Sequence, residues 1–120
     1  MDKVQQLADR YVAVWNETDD ERRRQAIADL WAPEGEHYVG TQEVRGYAAL
    51  EKRIVDSHTK WVRNGGYRFR AAKDIRALHD VVTFHWEMVP RNGENIAAIG
   101  LEFLVVDKEN RILTDYQFPL

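Results

Sequence analysis

The apolar positions in the first half of the chain recur at a helical period. Val4, Leu7, Ala8, Tyr11, Val14 and Trp15 fall on one side of a 3.6-residue wheel, which predicts an amphipathic helix over residues 3–17. "NETDD" breaks that stripe, and Thr18 or Asp19 can cap a second helix carrying Ile27, Leu30 and Trp31. Pro33 and Gly35 stop it. "EHYV" then reads as a short strand and "GTQEVRG" as a loop. A third helix over residues 47–62 has the inner stripe Tyr47, Leu50, Ile54, Ser57 or His58, and Trp61, and the glycines of "RNGG" end it.

Beyond residue 66 the period drops to two. Residues 67–79 and 80–90 alternate and are rich in Val, Phe, Tyr and Trp, and "PRNGEN" predicts a hairpin turn on Asn92-Gly93. Residues 95–107 form a long strand, and "KENR" turns the chain into the last one, "RILTDYQF". The order implies an α+β fold: a cone-like curved antiparallel sheet with three N-terminal helices packed on its concave face. Two strands are apolar on both faces, yet one helical layer covers only one. A homodimer through the outer sheet face is therefore expected, with Phe84, Trp86 and Phe103 in the contact.

Composition narrows the functions. A chain of 120 residues reads as a single domain, 1–120. Without cysteine there is no disulfide, thiolate metal site or Cys nucleophile. No apolar run approaches the ~20 residues of a membrane span, and "MDKVQQLADR" lacks a signal peptide's apolar stretch, so no membrane association and a cytoplasmic location are expected. A formal charge of −3 argues against a nucleic-acid partner. No phosphate-cradling loop or nucleophile elbow is present. The histidines show neither HxH nor HxxxH spacing, so neither metal nor cofactor is expected.

Local signals accumulate in a familiar order: "RYVAVWNETDD" in the first helix, "LWAPEGEHY" after the second, "EVRGYAALEKRI" opening the third, "FHWEMVPRNGE" at the hairpin and "GLEFLVVDKENRI" before the last strand. Together they cover nearly the whole chain and resemble the nuclear transport factor 2-like superfamily, specifically its SnoaL-like domains. That superfamily includes SnoaL-like polyketide cyclases, ketosteroid isomerase and limonene epoxide hydrolase. The resemblance implies a pocket between helices and sheet, but the fold alone does not name an activity.

The resemblance also proposes site residues. Ketosteroid isomerase carries an inward acid nine residues before the basic residue opening its last strand, and Glu102 stands nine before Arg111. Alternation then turns Ala98, Gly100, Leu104 and Val106 inward and Leu101, Phe103 and Val105 outward. Superposition through the Asn92-Gly93 turn adds Thr83, His85 and Glu87 to the inner face and places Phe84, Trp86 and Met88 outside. Leu113, Asp115 and Gln117 fall inside on the last strand. Tyr11 resembles the isomerase tyrosine that donates a hydrogen bond to a developing enolate, and Glu102 its neutral acid. His37, nine residues before Gly46, takes the place of the isomerase's general-base Asp, and a His is suited to proton abstraction near neutral pH. His85-x-Glu87 resembles the epoxide hydrolase's Arg-x-Asp pair, but Gln117 replaces that enzyme's second acid, which argues against epoxide hydrolysis.

The expectation is a small-molecule pocket of SnoaL-like type, with isomerase- or cyclase-like proton transfer on a small apolar carbonyl compound. Its catalytic set is Tyr11, His37, Glu102 and His85. Its ligand-binding set is Trp15, Trp31, Ile54, His58, Glu87, Leu104, Asp115 and Gln117. A non-catalytic binding or dimeric module of the same fold is the alternative.

Overall fold

The computed structural model describes residues 3–120. Helix α1 spans Lys3–Asn16 and buries Leu7, Ala8, Tyr11, Val12 and Trp15. Asp19 caps α2 (Asp20–Leu30), its carboxylate accepting from the Arg22 N–H at 2.8 Å. The chain passes directly from α2 into β1 (Trp31–Val39), so the strand is longer than "EHYV". Pro33 and Gly35 lie inside it, where the pairing register shifts between Trp31 and Glu36. The stretch expected as a loop contains β2 (Gln42–Arg45), paired with β1.

Helix α3 (Gly46–Ser57) continues into a π-helical turn, His58–Arg63. Ser57, at the end of α3, and Trp61, in the wider turn, line the same cavity, while His58 turns toward α1. Gly66, at φ +77°, carries the chain away in a left-handed conformation that a side chain would resist.

The β half is less continuous than its alternation suggests. Residues 67–79 divide into β3 (Tyr67–Ala71) and β4 (Arg76–Leu78), both paired with β5 (Val81–Pro90). Strands β6 (Ala98–Val106) and β7 (Ile112–Pro119) follow. Among the described residues the seven strands form one sheet, ordered β2-β1-β7-β6-β5-β3 with β4 beside β5. The sheet is mixed rather than wholly antiparallel, because β1 runs parallel to β7.

The hairpin between β5 and β6 corrects the expected facing of β5. Its turn is closed by the Gly93 N–H donating to the Pro90 carbonyl at 3.1 Å, so Arg91-Asn92 forms the turn and regular pairing resumes only near Ala98. Phe84 then opposes Glu102 and Trp86 opposes Gly100. A two-residue turn on Asn92-Gly93 would instead set Thr83 against Glu102. A one-residue change in register moves a whole strand to the other face. Phe84, Trp86 and Met88 are therefore inside, and Thr83, His85 and Glu87 are outside. The facing expected for β6 holds: Gly100, Glu102, Leu104 and Val106 are buried. On β7, Asp115 is inside as expected, but a bulge opposite Val105 and Val106 gives the upper inner position to Ile112 rather than Leu113.

The core lies between the three helices and this inner face. Ile27, Leu30, Leu50 and Ile54 meet Phe84, Leu104 and Ile112, each at most 2% exposed. Burying each such side chain contributes roughly 1.5–3 kcal/mol. Gly100 has a specific task, since a Cβ there would lie 2.0 Å from the Trp86 ring. Its missing side chain lets that indole lie flat across β6.

Candidate active site

Tyr11 projects from the third turn of α1 into a nest of rings, edge-on to Phe84 at 5.7 Å and tilted against Trp15 and Trp31. Its hydroxyl reaches the sheet, where Oη lies 2.5 Å from Asp115 Oδ2 and 3.1 Å from Glu102 Oε2. The rest of the site closes a ring around that point. Asp115 Oδ2 is 2.8 Å from His37 Nδ1, and His37 Nε2 is 3.4 Å from the Arg53 Nε–H. Arg53 Nη2 donates to Gln117 Oε1 at 2.9 Å, and Gln117 Nε2 donates to Glu102 Oε1 at 2.6 Å. The Trp86 indole N–H adds a second donor to that Oε1, at 2.9 Å.

The donors and acceptors of this ring fix its protons. Arg53 only donates, so His37 Nε2 accepts and the imidazole is neutral with its proton on Nδ1. That proton goes to Asp115. Tyr11 has one hydroxyl proton for two carboxyl groups, and the shorter contact assigns it to Asp115. Glu102 Oε2 then meets Tyr11 Oη productively only as a protonated acid donating to it. Glu102 Oε1 already accepts from Trp86 and Gln117, which leaves Oε2 as the protonated oxygen. In this assignment the buried ring holds one anion, Asp115, and one cation, Arg53.

Electrostatics point the same way. Burial, then the neighbouring Asp115 charge, pushes the Glu102 carboxyl well above the usual carboxylate range. Burial also pushes the Tyr11 phenol well above its ordinary value, helped by Asp115 and Glu102. Asp115 Oδ1 is buried without a hydrogen-bond partner among the described residues. A buried acceptor left unpaired costs about 1–3 kcal/mol, and such a cost is typical of sites held ready for chemistry.

Above the ring lies a cavity of about 230 Å³. Tyr11, Trp15, Arg53, Gln117 and Trp86 reach it from the ring side, and Ser57, Trp61, Phe69 and Met88 complete most of its wall. His37, Glu102 and Asp115 lie behind that wall, each 0% exposed. The structure thus brings Tyr11, His37, Glu102, Asp115, Trp15 and Gln117 together. Other expected positions separate from them. His85 is on the outer face, paired with Asp74 at 2.5 Å, and Glu87 there meets Arg70 at 2.7 Å. Both follow from the shifted hairpin register. His58 turns its Nδ1 to the Trp15 carbonyl at 3.1 Å and borders a separate depression that contains Arg23 and Arg91. Trp31, Ile54 and Leu104 are packed into the core behind the site and do not line the cavity.

Arg53, Phe69, Trp86 and Met88 line the cavity in addition to the residues expected from the sequence. Arg53 had a readable signal: with Ser57 and Trp61 it repeats every four residues, one stripe of the third helix. Among the described residues no group of three or more His, Asp or Glu side chains is disposed to hold a metal ion. None of the described helices is long and apolar enough to cross a membrane.

No family model matches the sequence, and a search of curated proteins gives no match. Solved structures do match. A protein from Agrobacterium tumefaciens, described as a candidate isomerase of the SnoaL-like family, superposes with a TM-score of 0.87 over 99% of both chains at 25% identity. The chain has the SnoaL-like fold of the nuclear transport factor 2-like superfamily. Two further structures share the SnoaL-like fold. One is an NTF2-like protein of unknown function from Exiguobacterium, with TM-score 0.72 and 18% identity over 95% of this chain and 98% of that one. The other is a candidate polyketide cyclase from Sinorhizobium meliloti, with TM-score 0.68 and 11% identity over 93% of each chain.

Proposed function

We propose that this SnoaL-like protein is an isomerase- or cyclase-type enzyme that moves a proton on a small, largely apolar carbonyl compound held in the cavity. The observation that carries the reading is the position of Tyr11. Of the four groups Glu102, Tyr11, Asp115 and His37, it alone lines the cavity, and its oxygen touches both acids. Tyr11 Oη accepts the proton from the carbon beside the carbonyl while its own proton passes to Asp115 Oδ2. The reverse transfer delivers a proton to a different atom of the enolate, and the protein ends as it began. Glu102, donating to Oη, disperses charge that develops on the phenol oxygen. His37 holds Asp115 in place and acts as a positioning residue rather than as the base.

Hydrogen–deuterium exchange tests this reading. A panel of small β-diketones and aryl ketones in D2O, followed by NMR, should lose α-protons faster with the protein than without it. Tyr11→Phe should lower that rate about a hundredfold or more. Absence of acceleration across the panel, or equal rates for both proteins, would leave a binding module.

The proposed partner surface is the outer sheet face, with a second copy of this chain as its occupant. Phe84 and Trp86 no longer belong to it. Leu101, Phe103, Tyr116 and Phe118 do, and Phe118 is 50% exposed. Apolar patches of this kind are uncommon on monomers. Sedimentation should give a dimer, and a clean monomer at micromolar concentration would remove the proposal.

A further inference from the structure

Arg53 makes no direct ion pair, the Asp115 carboxylate lying one side chain away across His37. Among the described residues, the half-buried or buried arginines Arg23, Arg68, Arg70 and Arg111 each pair with a carboxylate. Arg10, Arg63, Arg76 and Arg91 make no ion pair with the described residues, but they are exposed and their charge is solvated. Arg53 is half-buried, and its partners are His37, Gln117 and the face of Trp15, whose ring centre lies 5.1 Å from its central carbon. None of these is an anion. Burial lowers its pKa by more than the nearby acidic groups, Asp115 among them, raise it.

Its geometry is also that of a receptor. Nε and Nη2 are fixed by His37 and Gln117, and the indole of Trp15 supports the plane. Nη1 has no partner among the described residues, and the side chain lines the cavity wall. The other cavity groups are chiefly aromatic and aliphatic, so a ligand's charged oxygen has one strongly attractive place to go. A fixed guanidinium on an aromatic shelf binds a carboxylate more selectively than a flexible ammonium would.

We infer that the ligand of this cavity is a small acid, with its carboxylate on Arg53 and its apolar body against Trp61, Phe69 and Met88. This rests on the cavity being a ligand site, as proposed above, and specifies the substrate class. An oxo acid of one or two rings suits a cavity smaller than the ~300–1,000 Å³ that holds drug-sized ligands. Its carboxylate on Arg53 would leave the carbonyl-activated C–H to Tyr11, which lines the same cavity.

Titration calorimetry with matched pairs decides it. Phenylacetate and phenylacetamide have nearly the same shape and differ in charge, as do benzoate and benzamide. The wild-type protein should bind each acid about tenfold more tightly than its amide or better. Arg53→Met should remove that preference while changing amide affinity by less than about threefold, and Arg53→Lys should restore part of it. Equal binding of acid and amide by the wild type overturns the inference and leaves the cavity reading standing. Equal loss of both by Arg53→Met does the same. Failure of every compound to bind at millimolar concentration overturns the cavity reading and the inference together. If Arg53→Met fails to fold by thermal melting, the wild-type comparison and Arg53→Lys remain decisive.

Discussion

The described residues include two His–Asp pairs of the same chemistry and opposite situation. His37 and Asp115 sit 2.8 Å apart with both side chains 0% exposed, between β1 and β7. His85 and Asp74 sit 2.5 Å apart with side chains 39% and 46% exposed, on the outer side of β5. The outer pair is self-contained: Asp74 also accepts the His85 backbone N–H at 3.1 Å, and among the described residues no other side chain hydrogen-bonds to either group. The inner pair is one segment of a ring that ends on a cavity. Partial burial pushes the Asp74 carboxyl up, but its bonds to His85 outweigh this and leave it below its ordinary value. Water and salt screen such a pair, and it contributes little. Burial removes that screening from the inner pair, so each missing partner leaves a polar group stranded. Strand phase and the layer above it, not residue type, separate the two.

Removing the aspartate from each pair should expose the largest difference. Asp115→Ala leaves the His37 N–H without an acceptor, Tyr11 with Glu102 alone and Arg53 without its nearest anion, and should cost about 3–5 kcal/mol. In a domain of this length that lowers Tm by roughly 10 °C or more. Asp74→Ala should cost less than about 1 kcal/mol in the same melts. Comparable losses for both variants would erase the distinction.

Glu102→Gln probes the other side of the ring through pH. The folded-state pKa of Glu102 is raised, so between its ordinary value near 4.3 and that raised value the folded chain holds more protons than the unfolded one. Glu102 therefore favours the folded state fully at low pH, and that contribution declines as pH rises across the window. Glutamine keeps a donor toward Tyr11 and an acceptor for Trp86 and Gln117, with no proton to lose. Urea titrations should show the variant gaining on the wild type from pH 4 to pH 9. A wild-type advantage that grows with pH would reverse the assignment.

Much of this arrangement is legible in the sequence, and the part that is not has a definite cause. Helical spacing places Tyr11 and Trp15 on the inner face of α1, and Asp19 is readable as a cap because a carboxylate there satisfies a free helix N–H. Strand alternation, once Glu102 is set inward, places Leu104 and Val106 correctly. Period-two patterns carry no record of which residue opposes which across a turn. Asn92-Gly93 looks like a two-residue hairpin, and that assumption inverted β5, exchanging Trp86 for His85. Trp86 in particular could be an inner residue only with a glycine opposite, and the Trp86–Gly100 pairing appears only once the register is known. The bulge near Gly35 similarly hides the length of β1. An arginine on a helix carries no sequence mark of its own that separates a solvated face from a cavity wall, and Arg53 lines the cavity with Ser57 and Trp61.

The central claim is that the buried ring keeps Glu102 protonated at neutral pH while Tyr11 meets the cavity. It is tested most directly by the carbon-13 shift of the Glu102 side-chain carboxyl, assigned by loss of its signal in Glu102→Gln and followed from pH 4 to pH 9. The account predicts a signal that remains at the protonated position through pH 7. A Glu102 signal already at the carboxylate position at pH 7, after an ordinary titration near 4.3, would contradict it.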